Sequence, residues 1–130
     1  MLKKHLYINS RFELYRVELS KIVYFEADGN CTNFILVNRQ KGVLCMNLSK
    51  TQTLLTQNLK EQAQIFARIG KRFIINLTFV YHIDILKQRL TLSDGALFTY
   101  LLPVSKEALK KLKDLYVASG TLAGRKDESN

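Results

Sequence analysis

The sequence predicts a mainly β domain made of several small antiparallel sheets, with two helices set late in the chain. Three observations predict it. Apolar, aromatic and β-branched residues recur in short runs, and each run is bounded by turn-forming residues. Only two stretches space their leucines for one face of a helix, one in mid-chain and one towards the C-terminus. At 130 residues and 47% hydrophobic, the chain has the size of one domain and the apolar content of a packed core. A chain of this length buries roughly two thirds of its unfolded surface and needs no staple to stay folded.

The elements follow in order. Leu6-Tyr7-Ile8 and Phe12-Glu13-Leu14-Tyr15-Arg16-Val17 alternate like strands, and Asn9-Ser10 between them signals a turn. Glu18 to Lys21 is a polar break. Ile22 to Ala27 is nearly all apolar until Glu26 and reads as a strand. Asp28-Gly29-Asn30 is a tight loop, because Gly and Asn tolerate positive φ. Thr32 to Val37 returns as a strand, Asn38 to Gly42 is a second loop, and Val43 to Met46 a further strand. Ser49 with Gln52 three residues later reads as a capping box that opens a helix to about Leu59. Leu54, Leu55 and Leu59 form its apolar face, which suits a cover on a sheet.

Ala67 to Leu77 is the stretch of greatest interest. Phe73-Ile74-Ile75 is a β-type run, entered through Gly70-Lys71-Arg72 and closed by Asn76. Arg68, Lys71 and Arg72 place positive charge beside a rigid apolar base, as a phosphate-binding edge requires. Arg72 has an internal alternative, a carboxylate such as Glu26. Beyond it, Phe79 to Ile85 and Arg89 to Leu92 read as strands, and Asp94-Gly95 as a hairpin turn into Leu97 to Leu102. Pro103 cannot donate to a ladder and ends that strand. Ser105 is a good N-cap, with Glu107 in the first turn to suit the helix dipole. The last helix runs to about Tyr116, with Ala108, Leu109, Leu112, Leu115 and Tyr116 on one face. The domain thus spans 1–116, and 117–130 reads as a disordered tail.

Charge points to the partner. Lys and Arg number 20 against 11 Asp and Glu, a net charge of +9. With an isoelectric point near 9.7, the chain favours a polyanion. No apolar run approaches the ~20 residues of a membrane span, and no signal-peptide core follows the basic N-terminus. Cys31 and Cys45 make no metal-ligand pattern and read as free, partly buried thiols of a cytosolic protein. His5 and His82 stand far apart, and no P-loop, G-x-S-x-G or dinucleotide fingerprint occurs, so an enzyme is not expected. No helix-turn-helix is present either. The side chains suited to DNA lie instead in loops: Asn30, Thr32 and Asn33 around one turn, Lys71 and Arg72 in another, and Ser105 and Lys106 at a helix N-terminus. Taken singly, each is also an ordinary solvated loop.

Five segments in order carry a resemblance. They are Ile22-Val23-Tyr24-Phe25-Glu26-Ala27-Asp28-Gly29-Asn30, Leu48-Ser49, Phe66 to Asn76, Leu90 to Gly95, and Pro103-Val104-Ser105-Lys106. Together they resemble the LytTR DNA-binding domain of bacterial response regulators, over roughly residues 10 to 116. The resemblance implies an elongated sandwich of short antiparallel sheets with two helices. It implies duplex DNA as partner, contacted through loops without metal or cofactor, often by two copies on repeated half-sites. By position, the family's base-contacting residues fall near Thr32, Lys71 and Ser105 to Lys106. Cys31 stands where the family usually has an aromatic residue, and Lys71-Arg72 where it has Arg-Ser. Family members commonly carry a receiver domain or membrane segment, for which this chain has no room, so a stand-alone regulator or an excised domain is expected. The leading expectation is a cytoplasmic bacterial transcription regulator. The alternative is a protein-interaction module that regulates another transcription factor and binds DNA weakly.

Overall fold

The computed structural model describes residues 2–119. Its strands are β1 (His5–Asn9), β2 (Leu14–Glu18), β3 (Ile22–Asp28), β4 (Cys31–Leu36), β5 (Lys41–Leu44), β6 (Phe66–Ile69), β7 (Phe73–Asn76), β8 (Val80–Asp84), β9 (Arg89–Ser93) and β10 (Thr99–Pro103). Two α-helices, α1 (Leu48–Leu59) and α2 (Lys106–Ser119), complete it, with short 3-10 turns between some elements. The strands form a two-stranded sheet β1-β2, a five-stranded sheet β5-β4-β3-β7-β6 and a three-stranded sheet β10-β9-β8. All pairings are antiparallel. The mainly β architecture of small sheets with two helices is the one expected.

The five-stranded sheet is covered on both faces. On one, Phe25, Phe34, Leu44 and Ile74 pack against Leu6, Ile8 and Val17 of the hairpin and Leu48, Leu55 and Leu59 of α1. On the other, Tyr24, Ile35, Phe73 and Ile75 pack against Leu90, Leu92 and Leu102 of the three-stranded sheet and Leu109 and Leu112 of α2. Burial on both faces explains why β3 and β7 are near-continuous apolar runs rather than alternating ones. A register shift between Ile22 and Tyr24 inserts Val23, which joins Tyr24 in the second cluster.

Several local expectations need correction. Asn47, not Ser49, caps α1; its side chain accepts the Lys50 N–H at 2.9 Å. Strand β5 begins at Lys41, before the expected Val43, because Gly42 pairs with Phe34. A Cβ at Gly42 would overlap the Phe34 ring, so the missing side chain makes room for the aromatic one. Strand β6 was not expected as a separate element. Asp94-Gly95 opens a longer loop than a two-residue hairpin. The Asp94 carboxylate accepts the N–H groups of Ala96, Leu97 and Phe98 at 2.9, 2.8 and 3.2 Å. Those bonds hold its pKa below the usual value. Helix α2 continues past Tyr116 to Ser119, and Leu115 is exposed rather than core-facing. The rest of the expected tail, 120–130, lies outside the described residues.

Candidate nucleic-acid interface

Antiparallel pairing decides which loops meet. Cys31 pairs with Asp28, Glu26 with Phe73, and Ile69 with Phe73. The turns Asp28-Gly29-Asn30 and Gly70-Lys71-Arg72 therefore close the same end of the five-stranded sheet. The Ala27 N–H donates to the Arg72 carbonyl at 2.9 Å and ties the two turns together. Thr32 pairs with Leu44, so the connection from β5 into α1 arrives at this end as well. A surface depression lined by Ile69, Gly70, Ser105 and Ala108 brings the N-terminus of α2 beside the second turn.

Both turns rest on left-handed glycines, Gly29 at φ 60 and Gly70 at φ 63. An L residue there would be strained even though no atom crowds the missing Cβ. At the tip, Lys71 is exposed, and among the described residues its ammonium has no hydrogen-bond or ion-pair partner. Arg72 takes its internal alternative. Its Nε and Nη2 donate to Glu26 Oε2 at 3.0 and 2.7 Å, and its guanidinium lies 5.1 Å from the centre of the Phe73 ring. The Arg72 side chain is still 56% exposed, so it presents a fixed edge paired with a carboxylate. On α2, Ser105 Oγ accepts the Ala108 N–H at 3.2 Å, which leaves the hydroxyl hydrogen free to donate. Lys106 is exposed beside it.

The first turn divides its predicted residues. Asn30 is exposed at the tip. Asn33 is half-buried along the strand, and its Nδ2 donates to Asp28 Oδ2 at 3.3 Å, which braces the hairpin. Thr32 is 0% exposed. Its hydroxyl donates to the Met46 carbonyl at 2.9 Å and accepts from Thr51 Oγ1 at 3.2 Å on α1. Thr32 therefore belongs to the packing between β4 and α1, and its buried hydroxyl is not presented to a duplex as expected. The sequence reading assigned no role to Thr51, its partner there.

Electrostatics at this end reach into the core. Tyr24, beneath Glu26 on β3, has its phenol pushed up to about 12, chiefly by burial and then by the Glu26 carboxylate. The folded chain thus holds the Tyr24 proton more tightly than the unfolded chain, whose phenol titrates near 10. That contribution is fully present below pH 10 and is lost as pH rises from there towards 12. Tyr100 and Tyr116 are shifted in the same direction by burial. Denaturant titrations between about pH 9 and 11.5 should show stability falling, by at most about 2 kcal/mol through Tyr24. Tyr24→Phe should fall less over that interval; parallel curves for the two proteins would contradict the shift.

A family model described as the LytTr DNA-binding domain matches residues 13–116. The chain belongs to the LytTR family. This LytTR domain shares its fold with the solved LytTr DNA-binding domain of a Bacillus cereus protein described as a methyl-accepting/DNA response regulator. That match has a TM-score of 0.62 and 21% identity, and covers 87% of this chain and 96% of that one. No curated protein sequence matches this chain. The LytTR domain is a DNA-binding domain. Among its described residues, no helix is long and apolar enough to cross a membrane.

Proposed function

We propose that this LytTR domain binds duplex DNA sequence-specifically through the loops at one end of its five-stranded sheet, as part of a bacterial transcription regulator acting in the cytoplasm. One observation carries the proposal: the two glycine-based turns and the N-terminus of α2 meet at that end. Lys71 reads a base edge. Asn30, Ser105, Lys106 and the exposed edge of Arg72 position the duplex through phosphate and base contacts. Asn33 acts indirectly, by holding Asp28 and the shape of the first turn. A rigid sheet end with short polar tips reads a groove by its loops and needs no recognition helix. A second copy on a repeated half-site completes the complex, as the family resemblance implies.

The net charge of +9 supports a large counterion-release term. A salt titration of binding to a selected duplex tests the reading. Four to six phosphate contacts per copy give a log–log slope of about −4 to −5. A flat affinity across salt, or equal affinity for selected and random duplexes, would favour the protein-interaction module instead.

A further inference from the structure

Arg68 stands next to the proposed contact loop, half-buried, and its side chain is bonded to the protein itself. Its backbone is fixed by pairing with Ile74 in the β6-β7 ladder. Its Nε donates to the Gly70 carbonyl at 3.1 Å and its Nη2 to the Lys71 carbonyl at 3.4 Å. On the opposite side, Nη1 donates to Gln52 Oε1 at 3.2 Å and to Ser49 Oγ at 3.4 Å. Both of those acceptors lie in the first turns of α1. A guanidinium has five N–H donors in a rigid plane, and these contacts engage all but one of them. Among the described residues no carboxylate pairs with Arg68; the Glu26–Arg72 contact is the one salt bridge there.

We propose that Arg68 is a positioning residue for DNA recognition, a strut that sets the Gly70–Arg72 turn against α1 so that Lys71 leaves the turn in one direction. The inference rests on the loop-reading function proposed above. The turn has three residues between the paired Ile69 and Phe73, and Gly70 at φ 63 gives it little intrinsic stiffness. Fixing two successive carbonyls orients the peptide planes on either side of Lys71, and hence the side chain between them. Only a planar fork reaches two turn carbonyls and two helix oxygens at once. A lysine at the same position keeps the charge but has a single point of donation. With its donors engaged inside the protein, Arg68 has little left for a phosphate, although its charge still adds to the field at the loop.

The test uses the full chain, a duplex selected by the protein from a random pool, and a random duplex, with anisotropy measured at several salt concentrations. Arg68→Lys is expected to lose roughly five- to tenfold on the selected duplex, the scale of one weakened base contact. Its affinity for random duplex and its salt slope should stay within about a factor of two and about half a unit of the parent. The double variant Ser49→Ala, Gln52→Ala removes the helix side of the strut without touching charge. It should lose selectivity in the same direction, and less than additively when combined with Arg68→Lys. Two results would overturn the proposal. One is an Arg68→Lys protein with unchanged selectivity. The other is an Arg68→Gln protein that loses about one unit of salt slope equally on both duplexes, which would make Arg68 a phosphate ligand. If Arg68→Lys does not fold, the double variant decides, and unchanged selectivity there overturns the strut. A parent protein that prefers no duplex would refute the loop-reading function before any variant is compared.

Discussion

Asn76→Ala is expected to destabilise the domain by about 2–4 kcal/mol, measured as a shift in urea midpoint at constant slope. Asn76 ends β7 and is 1% exposed, a buried polar side chain. Its Nδ2 donates to the Ile22 carbonyl at 2.8 Å, where the register shift at the start of β3 leaves the ladder irregular. Its Oδ1 accepts the Thr78 N–H at 3.0 Å and the Thr78 hydroxyl at 2.7 Å, turning the chain out of the sheet towards β8. Truncation removes all three bonds and strands a buried carbonyl. A stranded carbonyl costs more than a lost bond between solvated groups, because no water replaces the partner. Asn76→Asp separates the two roles. The carboxylate keeps both acceptor bonds but sets an oxygen against the Ile22 carbonyl, so it should be no more stable than the alanine variant. A midpoint within the error of the parent for Asn76→Ala would remove the claim.

How legible such features were depended on whether one residue type permits one role. The strands β3 and β7 were legible because burial on both faces demands uninterrupted apolar side chains, and few other contexts do. The N-cap of α2 was legible because Ser105 is the only capping side chain directly before that apolar face. The cap of α1 was misread because Ser49 with Gln52 three residues later fits a capping box, a pattern that does not exclude a cap two residues earlier. Ser49 instead lies within the first turn, where its hydroxyl accepts from Arg68, while the Asn47 side chain accepts the Lys50 N–H. Strand β6 was hidden because Phe66, Ala67 and Arg68 are all half-buried, which leaves no alternation to read. Thr32 was misplaced because a threonine hydroxyl serves a phosphate and a core hydrogen bond equally well. Its parity with Phe34 on β4 was a usable signal, since both fall on the face that packs against α1. The fold was thus readable from burial patterns. The site was readable only as a set of loops, because the pairing that joins them acts across long stretches of chain.

Lys71→Ala is expected to cost roughly 1–3 kcal/mol on the preferred duplex and clearly less on random duplex. Lys71 and Arg72 are adjacent, cationic and at the same turn, yet they are not equivalent. Arg72 has two bonds to Glu26 and lies against the Phe73 ring, so its direction is fixed and its charge is paired with a carboxylate. Lys71 carries a free ammonium at the tip of the turn, with three donors available to a guanine edge or a phosphate. Behind it Phe73, Ile74 and Ile75 are buried, so the turn cannot retreat when a duplex approaches. Rigid anchoring lowers the entropy lost on binding and lets a short side chain discriminate between bases. The position also matches the one at which the family resemblance places a base contact. The variant should melt like the parent, because the Lys71 side chain is exposed and its ammonium has no hydrogen-bond or ion-pair partner among the described residues. Anisotropy on both duplexes then separates the outcomes. Losses equal on the two would make Lys71 a phosphate contact, and they should come with a salt slope shallower by about one unit. Unchanged affinity for the preferred duplex in a well-folded Lys71→Ala protein would move the reading head of this domain away from the Gly70–Arg72 turn altogether.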